Sequence, residues 1–291
     1  MSAFSVKGFN ANAYLALRPT YNRALLEWLL GYHVGKRARA ADIACGPGTF
    51  TVDLSTEFGH VLGVDPSPSM IESARNNARD RGIRNTEYKQ GYGESLPIAT
   101  SSIDLMTVMQ GAHWFKFAAF LSEAQRVLRP GGTLALIGYR YPEITNWPES
   151  MKGRSFARIL AANEHLLKRY WDSGYALIDE LYAPLLDVIQ TSPGFTDIRH
   201  LHFPENEQRS SSQGLTALLE PWIDSRTMTL YEFRAYVKTW SAYKSWKDEH
   251  PHDADMVDGF FDKQQSMSGI SGSSEVEIEW PHFAIIARKP L

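Results

Sequence analysis

Residues 39–65 constrain this chain more than any other stretch. A run that turns apolar, Arg39 to Cys45, ends at Gly46-Pro47-Gly48. Helical spacing follows from Phe50 to Phe58, and a second apolar run, His60 to Val64, ends at Asp65. Strand, glycine turn, helix, strand and terminal acid in that order read as a β-α-β unit whose ligand edge lies at the carboxyl ends of the strands. Glycine stands where backbone must touch a ligand or take a positive φ. The helix N-terminus behind the turn offers N–H groups to an anionic group. Asp65, 17 residues beyond Gly48, can accept two hydrogen bonds from a ribose diol. A dinucleotide site wants a third small residue at position 51. The chain has Thr51 there, which argues against NAD and an oxidoreductase and leaves room for a smaller cofactor without a pyrophosphate.

The same rhythm continues. Ser67 to Arg81 is a helix, with Ser67 as cap, Pro68 at its first position and Gly82 past its end. Thr86–Gln90 and Ile103–Met109 are strands, Ala118–Leu128 is a helix stopped by Pro130-Gly131-Gly132, and Thr133–Gly138 is a strand. Alternation of this kind implies an α/β, Rossmann-like fold with a mostly parallel sheet, its cofactor-binding core at 36–140. The second half reads differently. Segments 147–184, 213–222, 230–246 and 253–267 are helical, and seven of the eight tryptophans lie after residue 110. We expect 147–184 and 213–267 to form a helical substrate cap on a single domain, 1–291. Strands at 195–203 and 275–288 close the sheet, the latter as an antiparallel hairpin turning at Trp280-Pro281.

With 291 residues, 43% hydrophobic and 22% charged, the chain can bury a core that needs no disulfide or metal. A net charge of −3 supplies no basic field for nucleic acid. The single cysteine, Cys45, excludes an intrachain disulfide. Neither a signal peptide, a lipidation signal nor a membrane-spanning run is read, so the expectation is a cytoplasmic protein with a small-molecule substrate. His250, His252, Asp253 and Asp255 read as a solvated acidic turn, so no metal is expected. Oligomeric state stays open.

Four motifs in order, Asp42-Ile43-Ala44-Cys45-Gly46-Pro47-Gly48, Gly63-Val64-Asp65-Pro66-Ser67-Pro68-Ser69-Met70, Gly91-Tyr92-Gly93-Glu94-Ser95-Leu96-Pro97 and Arg126-Val127-Leu128-Arg129-Pro130-Gly131-Gly132, resemble those of class I methyltransferases. Tyr14…Arg18-Pro19-x-Tyr21, Ala112-His113-Trp114-Phe115, Tyr170-Trp171-x-x-Gly174 and Thr239-Trp240-Ser241-Ala242-Tyr243 resemble the fungal trans-aconitate methyltransferase group over nearly the whole chain. The resemblance implies S-adenosylmethionine as cofactor, a seven-stranded sheet and a helical cap. It places Tyr14, Arg18, Asp42, Ala44, Gly46, Gly48, Asp65, Pro66, Met70, Tyr92, Gly93, Glu94 and Gln110 around that cofactor. Tyr92 departs from the Asp that many relatives carry at the adenine edge; backbone near Gly93 or the Glu94 carboxylate can take over that contact.

On the substrate side, Arg18 can clamp a carboxylate, and Arg140 follows the fifth strand at the ligand edge. His113 is the one base we nominate, with Trp114 as a pocket wall. Trp171, Tyr175, Tyr182, Trp240 and Tyr243 are aromatic cap candidates, against the alternative that aromatics at helical spacing are core. The resemblance favours O-methylation of a carboxylate on a small organic acid. A secondary-metabolite hydroxyl, nitrogen or carbon acceptor, and a cofactor-binding regulator without turnover, remain alternatives.

Overall fold

The computed structural model describes residues 17–148, 156–163, 165–202 and 223–291. Five parallel strands form its centre: β1 (Arg39–Ile43), β2 (His60–Asp65), β3 (Thr86–Gln90), β4 (Ile103–Met109) and β5 (Leu128–Tyr139), in the order β3-β2-β1-β4-β5. All seven residues of β4 are buried, as expected of a strand covered on both faces. Helices α1 (Arg23–Tyr32), α2 (Thr49–Ser55), α3 (Pro68–Asp80) and α4 (Phe117–Val127) flank the sheet. Leu25, Leu29, Phe50 and Leu54 pack with Leu105 and Ile137 in one cluster, and Ile43, Val64, Met106 and Phe120 in another. The cap of α3 follows the sequence reading: Ser67 Oγ accepts from Met70 N, Pro68 opens the helix, and Gly82 has φ +69°.

The long last strand, β9 (Glu275–Arg288), closes the sheet. Its second half runs antiparallel to β5, from Tyr139↔His282 to Thr133↔Arg288, and also to β7 (Thr196–His202). Its first half pairs with β6 (Glu143–Ile144) and β8 (Ile223–Thr229). The Rossmann-like, mostly parallel architecture is therefore as read, but the hairpin at Trp280-Pro281 is a continuous strand. Pro281 sits where β9 passes from one pair of partners to the other. There its carbonyl accepts Arg140 N at 2.8 Å, and Trp280 is wholly buried with Nε1 donating to Tyr236 Oη.

The remaining described helices are α5 (Phe156–Ala162), α6 (Tyr175–Asp179), α7 (Ala183–Thr191), α8 (Leu230–Val237), α9 (Ser241–Glu249) and α10 (Met256–Ser268), all but the last under ten residues long. The sequence read 230–246 as one helix. It breaks at Trp240, whose backbone is extended (φ −69°, ψ 145°), and the break presents the Thr239 carbonyl to Arg18 Nη2 at 2.9 Å. The strand β8 was not anticipated. Phe233, Trp246 and Trp280 are among the second-half aromatics that form a buried cluster of their own. Expected helical residues 213–222 lie outside the described set. Among the described residues no helix is long and apolar enough to cross a membrane.

Candidate functional site

Two cavities lie beside the carboxyl ends of β1, β2, β4 and β5. The larger is about 750 Å³ and the smaller about 60 Å³. Arg18, Gln110, His113, Trp114, Tyr139 and Asp172 line both and so form a shared wall.

The larger cavity is floored by the turn after β1. Gly46 has φ +54°, and a Cβ built there would meet no protein atom within 4 Å. A side chain at that position would therefore occupy the cavity, which Gly46 lines. Ala44 also takes a positive φ, 55°. Asp65, 7% exposed, uses one oxygen for Gly46 N and the other for Ser67 N, each at 2.9 Å. It thus ties the glycine turn to the head of α3, and two lone-pair sites of the carboxylate remain. Burial raises its pKa against those two backbone bonds. Asp42, wholly buried at the end of β1, is pushed up to about 7 by burial, opposed by bonds from Thr51 and Thr107. Pro66, Met70, Tyr92, Gly93 and Glu94 continue the lining. Gly93 is required by close approach, since a Cβ there would fall 2.9 Å from the Phe115 ring. Tyr92 is 63% exposed, and a Glu94 oxygen accepts Lys116 N at 2.7 Å. Gly48 does not line the cavity. With φ +77° it heads α2, and a Cβ would strike Ala74 and Tyr88 within 3.0 Å, so its glycine serves the packing of the turn on α3 and β3. Tyr14 lies outside the described residues.

The shared wall is built from strand ends. Gln110, at φ 54°, exchanges two hydrogen bonds with the Tyr139 backbone, Nε2 to O at 3.2 Å and N to Oε1 at 2.7 Å. Tyr139 Oη accepts from Arg18 Nη1 at 3.2 Å. His113 Nδ1 lies 3.1 Å from Tyr182 Oη. Burial, and secondly the Arg18 charge, hold the imidazole down to about 3. The loop carrying Asp172 docks on this turn so closely that a Cβ on Gly174 would fall 2.1 Å from the His113 carbonyl oxygen.

The smaller cavity brings together His113, Trp114, Arg140, Trp171, Tyr175 and Trp240. Trp171 stacks on Tyr175 at 3.7 Å, and Trp240 tilts against both Trp171 and Tyr141. Tyr243 is placed elsewhere: its hydroxyl donates to Asp255 Oδ2 at 2.6 Å, at the cap of α10. Tyr182 is wholly buried behind His113 and lines neither cavity. Reasoning from sequence passed over Phe115, Tyr139, Tyr141, Asp172 and Tyr236. Tyr139 and Tyr141 flank Arg140 at a strand end already singled out, and Tyr236 lies one helical turn before Trp240, so position in the pattern held a signal for these three.

A cavity of this volume fits a small-molecule ligand, and the bare Gly46 backbone beside Asp65 suits a nucleoside without a pyrophosphate. A second, small pocket across a common wall suits transfer of a small group between two ligands. The protein is an S-adenosylmethionine-dependent methyltransferase, and its fold is that of the class I methyltransferases. Its residues 41–136 match the methyltransferase domain family. The chain is 26% identical, over 97% of each sequence, to CRG1 of Saccharomyces cerevisiae, described as a probable S-adenosylmethionine-dependent methyltransferase. It is 27% identical to a Dictyostelium discoideum protein described as a candidate methyltransferase, covering 97% of this chain and 94% of the other. A solved structure described as a candidate type II methyltransferase, from Anaeromyxobacter dehalogenans, shares the fold with a TM-score of 0.67 at 23% identity, covering 94% of this chain and 99% of that one.

Proposed function

We propose that the acceptor is a carboxylate oxygen of a small organic acid, held in the smaller cavity beneath a cap drawn from the described parts of 147–184 and from 230–267. The carrying observation is the shared wall: it combines the Arg18 cation with a histidine whose basicity is suppressed to about 3. S-adenosylmethionine supplies a methyl group on a sulfonium, from which the neutral thioether departs as a good leaving group. A carboxylate, with a reference pKa near 4, is already ionised near neutral pH and needs no base. A hydroxyl or ammonium acceptor needs one, and a site histidine with so low a pKa is a poor proton acceptor. What remains for the protein is alignment, which can account for roughly 7–11 kcal/mol in favourable cases.

In this reading Asp65 takes the ribose, and Met70, Tyr92, Gly93 and Phe115 surround the adenine. Arg18 and Arg140 neutralise the acid, and His113 orients it. The resemblance to the trans-aconitate group, carried by Arg18-Pro19, His113-Trp114 and Trp240, supports the same acceptor class. The test is incubation with methyl-labelled S-adenosylmethionine and a panel of small di- and tricarboxylic acids, then mild alkali. A methyl ester releases its label as methanol. A label that survives alkali identifies an ether, N-methyl or C-methyl product and overturns the carboxylate reading.

A further inference from the structure

We propose that Tyr182 is a positioning residue that fixes the tautomer of His113, so that Nε2–H faces the wall shared by the two cavities. The proposal rests on the reading that the acceptor binds against that wall.

Tyr182 touches neither cavity, yet its hydroxyl lies 3.1 Å from His113 Nδ1. Its side chain is wholly buried among apolar residues, edge-on to Phe283 at 4.9 Å. The backbone that delivers it is strained. Leu181 and Tyr182 both take positive φ, 53° and 63°, a conformation costing an L-residue about 1–2 kcal/mol. The turn is pinned from two sides: Tyr182 N donates to Leu177 O at 2.7 Å, and His200 Nε2 donates to Leu181 O at 2.7 Å. An apolar contact alone would not require a phenol at this place. The hydroxyl has a specific duty.

That duty follows from donor and acceptor counting. A neutral imidazole has one N–H and one bare nitrogen. Among the described residues His113 Nδ1 is the one hydrogen-bond partner of the Tyr182 hydroxyl, whose surroundings are otherwise apolar, so a phenol proton not given to that nitrogen would be buried without an acceptor. The phenol proton is then the one directed to Nδ1, which must be bare. The ring proton consequently sits on Nε2. Among the described residues no hydrogen bond engages Nε2, and His113 lines both cavities. An N–H there donates to an acceptor oxygen, whereas the other tautomer would present a lone pair and repel it. Phenylalanine at 182 keeps the packing against Phe283 and removes the lock.

Two measurements test this. The first is a long-range ¹H–¹⁵N spectrum of protein carrying labelled histidine, with the His113 signals assigned by their loss in His113→Gln. The expected result is a neutral ring protonated at Nε2, unchanged from about pH 5 to 8. Protonation at Nδ1 overturns the proposal, and this readout needs neither a variant at 182 nor a substrate. The second is a cycle of Tyr182→Phe and His113→Gln in methyl transfer. Tyr182→Phe should lower kcat roughly tenfold, leave affinity for S-adenosylhomocysteine unchanged, and add less than about twofold in the His113→Gln background. Equal losses in both backgrounds show that Tyr182 does not act through His113. A non-carboxylate acceptor would alter the product but not the spectrum.

Discussion

Thr51 donates a 2.6 Å hydrogen bond to Asp42 Oδ2 across the glycine turn. Thr107, from β4, donates to the other oxygen at 3.0 Å. The residue whose size argues against a dinucleotide thus has a positive role: it satisfies a buried acid at the end of β1. Because Asp42 is raised to about 7 chiefly by burial, the native state holds a proton that the unfolded chain gives up near pH 4.

The sign of the resulting pH dependence is fixed. A carboxyl with a raised native pKa contributes its stability below the unfolded pKa and loses it as pH rises through about 7. Stability should therefore fall between pH 5 and 7 by up to about 1.4 kcal/mol per pH unit from this group. Asp42→Asn, which cannot ionise, should flatten that limb. Denaturant melts of both proteins at pH 5, 6, 7 and 8 check this, and parallel pH profiles would assign the dependence elsewhere.

The fold of the first half was legible because its physics is local. Glycine turn, capped helix and terminal acid are set by backbone demands within some 30 residues, and Ser67 and Gly82 stand where the cap and stop of α3 were read. The second half of the chain depends on contacts across the sequence that leave no local trace. Arg18 is held by Thr239 and Tyr139; the first exists only because the helix breaks at Trp240. Aromatic spacing likewise could not separate Trp171, on the pocket, from Trp246, in the core: Trp171 lies in extended backbone just past a helical turn and Trp246 inside α9, a difference the spacing of large side chains does not carry. Trp280-Pro281 misled because proline usually ends a strand, whereas here it occupies a changeover between strand partners.

Asp65→Ala should remove the tie between Gly46 N and Ser67 N together with the proposed ribose contact. A charge-assisted hydrogen bond is worth about 1.5–3 kcal/mol, so affinity for S-adenosylhomocysteine should fall by roughly 10- to 100-fold. Titration calorimetry reads this directly. Wild-type affinity in the variant would mean that the ribose is placed elsewhere.

Ala44 and Gly111 form a second coupled pair. A Cβ on Gly111 would come 2.7 Å from the Ala44 methyl and 3.3 Å from Val108 Cγ1. Gly111→Ala should destabilise by about 1–3 kcal/mol through overpacking. Ala44→Gly removes the closest obstacle and also relieves a non-glycine residue at φ 55°. The double variant should recover most of the loss, giving a coupling well beyond the roughly 0.5 kcal/mol expected of independent sites. Additive losses in denaturant melts would show that the two residues do not meet as described.

The acceptor class makes the sharpest kinetic forecast. If a carboxylate is methylated, His113→Ala loses only a neutral hydrogen bond, and the rate should fall roughly tenfold. Arg140→Ala and Arg18→Ala leave a partly buried anion without its counter-charge, worth about 2–5 kcal/mol, so their losses should be roughly 30-fold or more. Arg18→Lys separates charge from geometry: it keeps the cation but cannot hold Tyr139 Oη and Thr239 O together as the planar fork does. Partial recovery is expected there. With His113 held to about 3, kcat/KM should also stay flat across the usual histidine range, about pH 5.5 to 8. A hydroxyl or amine acceptor reverses both forecasts. His113→Ala would then nearly abolish turnover while the arginine variants retain most of it, and the rate would climb with pH through a single ionisation.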